Sequence, residues 1–366
     1  MRVPFGDLKR QYEAHAALYD ETIRHVLTSG RHILGRELEA FEREFAQYCG
    51  APHCIGCASG TDAITLALLA HGIGRDDTVV TAANTCVPTA AGIGATGARI
   101  ALCDADAETA LMDAASLDNA LRETGARAVV PVHLYGQPAG IDAINAAARA
   151  RGAIVIEDAA QAHGALYKGL RIGAHGNTVC WSFYPSKNLG AFGDAGAVTT
   201  HSEDIARCLR MLRNYGQERR YYHAIPGRNS RLDEIQAAVL RAKLPMLEQW
   251  NARRRVIAAR YRASITNPHT RFICQPTHTT GCEHLFPLFC AKRDAALQAL
   301  RDMGVECLIH YPVAIHLQEA CRSLGYAPGA FPNAERLCAE ELSLPMFPEL
   351  TDAEVDHIVM SVNSVT

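Results

Sequence analysis

The sequence predicts an α/β protein: a mainly parallel sheet with helices on both faces, followed by a smaller C-terminal α/β unit. Three observations carry this. Between residues 78 and 158, short β-rich apolar runs alternate with segments of helical period, the rhythm of βαβ units. The run Ala128-Val129-Val130-Pro131-Val132 is apolar throughout, as in a strand covered on both sides. Polar residues (Asn84, Asp104, His133, Asp158, Gln161 and His163) stand at or just beyond the ends of these runs, where ligands gather in such sheets.

In chain order, residues 8–28 have helical patterning, interrupted by two glycines in Ser29-Gly30-Arg31-His32-Ile33-Leu34-Gly35 and resumed over 37–48. A short apolar run ends in Ala58-Ser59-Gly60-Thr61-Asp62, and a helix over 63–71 closes at Gly72 and Gly74. Strands are predicted at 78–82, 99–103, 127–134 and 153–156, with helices at 89–97, 116–124 and 141–151. Thr178-Val179-Cys180 and Ala197-Val198-Thr199-Thr200 read as two further strands. Amphipathic helices follow at 203–215 and 231–244, joined by a polar, aromatic and basic connection of the long kind that tends to carry function. Pro245 breaks the pattern before an arginine-rich helix at 248–265, which places a domain boundary there: residues 1–245 and 246–366. In the second unit, strands are predicted at 286–291 and 305–309, the latter running into His310-Tyr311-Pro312. Helices are predicted at 294–303, 334–341 and 351–362, the last opening on the capping signature Thr351-Asp352-Ala353-Glu354.

Bulk properties narrow the function. A chain of 366 residues, 48% hydrophobic, buries a large core. Its net charge of −3 gives no electrostatic case for nucleic acid or an anionic membrane. No apolar stretch is long enough to span a bilayer, and the first residues lack a signal peptide's apolar segment, so a cytoplasmic protein is expected. The 13 cysteines, scattered through apolar segments, read as reduced core residues. Cys54 and Cys57 form one CxxC without the second pair that a structural zinc site needs; a redox pair is the lesser reading. No HxH or HExxH spacing favours a metal.

The most informative stretch is Trp181-Ser182-Phe183-Tyr184-Pro185-Ser186-Lys187-Asn188-Leu189-Gly190, between two strands and before a glycine-rich turn. Only five of the chain's 36 basic residues are lysines, so a lysine on this loop points to a task that a guanidinium cannot perform: losing a proton and forming a Schiff base. The alternative is a surface lysine beside a turn. Ser59-Gly60-Thr61 entering a helix presents free N–H groups and a dipole suited to a phosphate; an ordinary helix cap made by Ser59 or Thr61 is an equal reading. Asp158, ending an apolar strand, is a partly desolvated carboxylate in need of a cationic partner, or else an N-cap. His133 and His163 read equally as satisfied, semi-buried histidines. Lysine, carboxylate and phosphate cup together are what a pyridoxal phosphate enzyme requires.

The chain resembles the DegT/DnrJ/EryC1/StrS family of sugar aminotransferases. The stretches that carry the resemblance are residues 58–63, Val132-His133-Leu134-Tyr135-Gly136-Gln137, 157–164, 182–188, 193–196 and 229–234. The resemblance implies a fold-type I pyridoxal phosphate enzyme with a large domain built on a seven-stranded sheet. It implies that Lys187 bears the cofactor and that Asp158 pairs with the pyridine nitrogen. By the same resemblance Gln161 contacts the ring's phenolic oxygen, and Gly60, Thr61 and Ser182 hold the phosphate. Asn229 is similar to an asparagine that reaches the neighbouring subunit's cofactor, which implies a homodimer with shared active sites. Tyr184, His310 and Tyr311 resemble residues near the hexose, and Arg220 lies on a loop that approaches the nucleotide.

The implied reaction moves an amino group from L-glutamate to a nucleotide-linked keto sugar. The wording around residues 133–137 and 183–190 is most like members acting at C3 of dTDP-linked 3-keto-6-deoxyhexoses. Members acting at C4, or on cyclitol ketones, share most of these motifs. Sugar 3-dehydratases carry His where Lys187 stands, and a non-catalytic regulatory relative would lack Lys187 or Asp158. One departure is Cys86, which occupies a position where many members stack an aromatic residue on the ring; a thiol covers less of a ring face. Cofactor retention is therefore expected to be weaker than in an aromatic-bearing relative. Cys86→Phe is predicted to bind pyridoxal phosphate more tightly in equilibrium titration; equal or weaker binding contradicts this.

Overall fold

The computed structural model describes residues 1–365; Thr366, the last residue of the expected second unit, lies outside them. Seven strands form the central sheet: β1 (His53–Cys57), β2 (Thr78–Ala82), β3 (Arg99–Cys103), β4 (Ala128–Val130), β5 (Ile154–Asp158), β6 (Thr178–Ser182) and β7 (Gly196–Thr200). Their spatial order is β1-β7-β6-β5-β4-β2-β3. The block from β3 to β6 is parallel, whereas β7 runs antiparallel to both β6 and β1. The expected mainly parallel α/β sheet is present, with that one reversal.

Strand alternation divides the core into two layers. On one face, Val80, Val129, Val179 and Trp181 pack with Phe41 and Phe45. On the other, Val79, Val130, Ile156 and Val198 pack with Ile64, Ile93 and Leu209. Cys54 belongs to the first layer and Cys57 to the second, so the CxxC thiols point to opposite faces of β1 and do not form a redox pair.

Several boundaries differ from the sequence reading for identifiable reasons. The first helical segment is two helices, Leu8–Glu13 and Ala16–Ser29, with Asp7 capping the first by accepting the Arg10 N–H at 3.0 Å. The helix expected at 89–97 spans Val87–Gly94 and starts earlier because Pro88 favours the first turn. The strand expected at 127–134 keeps only Ala128–Val130, because Pro131 supplies no ladder N–H. Pro131 instead accepts from the Asp158 N–H at 2.8 Å, and Val132 bridges Asp158, so β5 runs on to that carboxylate. Pro245 lies in a short 3-10 turn, Leu244–Met246, that joins helices Glu234–Lys243 and Leu247–Ser264.

A second core gathers Tyr261, Phe286, Leu300, Leu342, Leu344 and Ile358 around an antiparallel pair, β8 (Phe286–Phe289) and β9 (Glu341–Leu344). The strand expected at 305–309 is replaced by isolated bridges, Val3 to Val305 and Leu308 to Ser343. Val3 thereby packs in this second core from the other end of the chain. Helix Pro332–Glu340 is capped from the central sheet, where Asp104 accepts from the N–H groups of Asn333 and Ala334 at 3.1 and 2.8 Å. The capping box at Thr351 and Glu354 forms as the sequence predicts. Among the described residues, no helix is long and apolar enough to cross a membrane.

Candidate active site

Two cavities meet at Lys187. The smaller, about 260 Å³, lies beyond the carboxyl ends of the parallel strands and is lined by Gly60, Thr61, Cys86, Asp158 and Ser182, among others. The larger, about 510 Å³, opens towards the second core and is lined by Arg254, His284, His310 and Glu349, among others. Gln161, Tyr184, Lys187 and Tyr311 line both.

Lys187 occupies the turn between the antiparallel neighbours β6 and β7. Phe183 roots the turn edge-on against Phe41 and Phe45, at 5.3 and 5.1 Å between ring centroids. Within the loop, the Lys187 N–H donates to Tyr184 O and the Ala191 N–H to Phe183 O, both at 2.8 Å. A Cβ on Gly190 would fall 2.3 Å from Pro185 O, so only glycine closes the loop this tightly. Asn188 fastens the next residue by donating to Asn251 Oδ1 and Cys282 O. Burial lowers the Lys187 ammonium below its usual range, while Asp158, Cys86 and Cys282 oppose that shift.

Asp158 is buried at the carboxyl end of β5. Its Oδ1 accepts from the Ala160 N–H at 3.1 Å and its Oδ2 from the Thr89 hydroxyl at 2.8 Å. Burial raises its carboxyl above the ordinary value; these two hydrogen bonds and the charge of Lys187 pull the other way. Behind it, His133 and Glu157 form a fully buried pair at 2.8 Å. His133 Nδ1 accepts from the Ala139 N–H, so Nε2 carries the proton that Glu157 receives. His133 is thus a satisfied interior histidine, whereas both nitrogens of His163 are buried without a hydrogen-bond partner among the described residues.

The Ser-Gly-Thr turn forms the helix cap that the sequence allows. Ser59 caps helix Gly60–Ala70 by accepting the Asp62 N–H at 3.1 Å. The Gly60 and Thr61 N–H groups, at the first turn, have no intrahelical acceptor. A Cβ on Gly60 would lie 2.6 Å from Ser182 Cβ, so glycine keeps the helix end and Ser182 close together. Gln161 accepts from the Tyr135 N–H at 2.6 Å and donates to Tyr311 Oη at 3.1 Å, holding its amide across the cavity. Cys86 is partly buried, and burial raises its thiol despite the opposing effect of Tyr311 and Lys187.

Tyr184, His310 and Tyr311 line the larger cavity. Arg220 and Asn229 are exposed and line neither; Arg220 leans on Tyr221, and Asn229 bridges Asn214. Sequence reasoning missed Thr89, and also Asp7, Gln11 and Arg254, which line the larger cavity. Thr89 sits three residues after Cys86, near one helical turn, which is the only local signal that it shares that cavity.

The sequence profile of the DegT/DnrJ/EryC1/StrS aminotransferase family matches residues 15–363. The chain belongs to this family. It is 43% identical over its whole length, and the relative's, to the erythromycin biosynthesis sensory transduction protein EryC1 of Saccharopolyspora erythraea. It is also 43% identical to dTDP-3-amino-3,4,6-trideoxy-alpha-D-glucose transaminase of Streptomyces venezuelae, covering 99% of this chain and 95% of that one. The crystal structure of S. venezuelae DesV in complex with a ketimine intermediate superposes with a TM-score of 0.97 at 43% identity, covering 99% of this chain and 98% of that one.

The family member described here is a pyridoxal-phosphate-dependent aminotransferase, and its smaller cavity fits that cofactor. Its walls bring together a buried carboxylate, a helix N-terminus packed against Ser182, and Lys187. Asp158 would pair with the ring nitrogen, and Gly60, Thr61 and Ser182 would hold the phosphate. Asp158→Asn removes the charge but keeps the shape. It is predicted to lower kcat by roughly 100-fold or more, from the ~3–5 kcal/mol cost of breaking a buried charge pair. The melting temperature of the cofactor-free protein should hold or rise, because the raised carboxyl pKa marks an ionised form that burial disfavours. Retained turnover with a lower melting temperature contradicts this.

Proposed function

We propose that the protein transfers the amino group of L-glutamate to a nucleotide-linked keto sugar, a dTDP-linked 3-keto-6-deoxyhexose. The observation that carries the reading is the junction of the two cavities at one half-buried lysine. The smaller accommodates a flat ring with a phosphate arm. The larger, with His310, Tyr311, Tyr184 and Gln161 on its walls, has the volume and polar edges for a hexose. Sequence likeness to a dTDP-sugar transaminase, at 43% identity, supports the same substrate class. Lys187 and Asp158 are both present, and this favours an enzyme over the purely sensory role that the name EryC1 suggests for that relative.

Bound in the smaller cavity, pyridoxal phosphate supplies the electron sink and carries the nitrogen between the two substrates. Lys187 Nζ, held below its ordinary pKa by burial, takes the α-proton of the amino donor. In the second half-reaction it delivers a proton to the sugar carbon that receives nitrogen. Asp158 would hold the ring nitrogen in its protonated form, and Gln161, its amide fixed by Tyr135 and Tyr311, would orient the ring. The exposed Asn229 and Arg220 serve the partner subunit's site in a homodimer, Asn229 at the cofactor phosphate and Arg220 at the nucleotide; their exposure on this chain leaves both free for that role.

Incubation with L-glutamate and a panel of nucleotide-linked 3-keto and 4-keto sugars tests the assignment. Formation of 2-oxoglutarate is expected with the dTDP-linked 3-keto-6-deoxyhexose and is lost in Lys187→Ala. Turnover of a 4-keto sugar or cyclitol ketone alone moves the substrate elsewhere in the family. No turnover of any ketone contradicts the proposal.

A further inference from the structure

Glu341, at the start of β9, is fully buried and has no part in the chemistry above. Its Oε2 accepts from the His310 backbone N–H at 2.5 Å, and its Oε1 accepts from the Ser343 hydroxyl at 2.5 Å. Ser343 Oγ in turn lies 2.9 Å from His310 Nδ1. The other ring nitrogen, Nε2, has no hydrogen bond among the described residues, and the partly exposed side chain lines the larger cavity. The ring stacks on Phe5 at 5.5 Å, and the Tyr135 hydroxyl fixes the backbone by donating to His310 O at 2.7 Å.

Proton counting gives this chain a direction. An ionised carboxylate only accepts, so Ser343 must spend its single hydroxyl proton on Glu341. Ser343 Oγ can then only accept from His310, which requires Nδ1–H and leaves Nε2 with a bare lone pair facing the cavity. A protonated Glu341 reverses the order. Its Oε2 is committed to the His310 N–H, so its proton sits on Oε1 and is donated to Ser343. Ser343 then donates to Nδ1, and the mobile imidazole proton moves to Nε2. We propose that Glu341, acting through Ser343, is a positioning residue that sets whether His310 accepts or donates a hydrogen bond to the sugar, and so which substituent the sugar pocket reads. The specificity role rests on the reading that the larger cavity holds the sugar.

The surroundings allow the reversal near neutrality. Burial raises the Glu341 carboxyl to about 7, against its bonds to Ser343 and His310 N and the charge of Arg293, whose Nη1 donates to Glu341 O at 2.9 Å. The other groups packed around it stay neutral there: burial pushes the thiols of Cys307 and Cys338 up to about 12 and the Tyr135 phenol well above its usual range. Burial and the charge of Lys187 hold the His310 imidazole down at about 4, so the ring exchanges tautomers without becoming charged.

The test reads the tautomer directly. Holoenzyme labelled with 15N-histidine is examined by two-bond 1H–15N correlation about 1.5 pH units below and above neutrality, with His310 assigned from the signal lost in His310→Asn. The wild type is expected to show Nδ1–H at the higher pH and Nε2–H at the lower. In Glu341→Gln the amide carbonyl must face the His310 N–H and the NH2 must face Ser343, so Nε2–H is expected at both. Ser343→Ala cuts the relay without touching the bond to His310 N and should abolish the pH dependence, which keeps the test decisive if the Gln variant does not fold. A single wild-type tautomer at both pH values, or an unchanged switch in either variant, overturns the proposal. In kinetics at the higher pH, Glu341→Gln should raise KM for the keto sugar about tenfold, the worth of one hydrogen bond, with the glutamate half-reaction unchanged. A tautomer switch with no change in sugar KM overturns the specificity role. Failure of every sugar to react overturns the substrate assignment instead, and the spectra still decide the relay.

Discussion

The site depends on placing an amine and a carboxylate in one desolvated cavity. Burial pushes both Lys187 and Asp158 towards their neutral forms, and their mutual attraction resists this. Neither group alone would stay functional there: an isolated buried charge neutralises, and a solvated lysine stays protonated. Asp158 is fixed by a parallel ladder, with β4 on one side and β6 on the other. Lys187 is fixed by the reversal of β7, which lets the chain turn back over the strand ends within a short loop. The one antiparallel exception in the block from β3 to β7 is therefore what brings the amine to the carboxylate.

Around this pair the molecule converges from distant parts of its sequence. Helix Glu234–Lys243 reaches back through Lys243, which donates to Gly190 O at 2.8 Å and steadies the far end of the lysine loop. The first residues pack into the second core at Val3 and then pass along the larger cavity at Phe5, Asp7 and Gln11. The segment that follows the Leu308 bridge to Ser343 supplies His310 and Tyr311, and Gln161, three residues past the end of β5, holds Tyr311. The larger cavity is thus walled by the chain's start, its sheet and its C-terminal part, so its shape follows the packing of the second core on the first. The relay through Glu341 and Ser343 extends that dependence to the hydrogen-bonding polarity of His310.

Much of this was legible in the sequence because it was local. The apolar run before Asp158, the small residues at Ser59-Gly60-Thr61, the lysine loop and the capping box at Thr351 each announce themselves within a few residues. What escaped were contacts between segments far apart in sequence. Thr89 reaches Asp158 across 69 residues, and Asp104 caps a helix about 230 residues away. Residues 341–344 were assigned partly to a helix, yet Glu341 and Ser343 form a strand because Phe289 and Pro287 stand opposite to receive them. A buried glutamate in that strand looks wrong by period alone, and only its bonds to His310 and Ser343 explain it.

The central claim is that the amine at position 187 is the one that engages the cofactor, opposite the carboxylate at 158. The most direct measurement is borohydride reduction of the cofactor-loaded protein followed by peptide mapping. The account predicts one modified peptide, carrying the pyridoxyl mass on Lys187, with unmodified Lys9, Lys168, Lys243 and Lys292. Modification of another lysine, or none in a protein that retains transaminase activity, would contradict it.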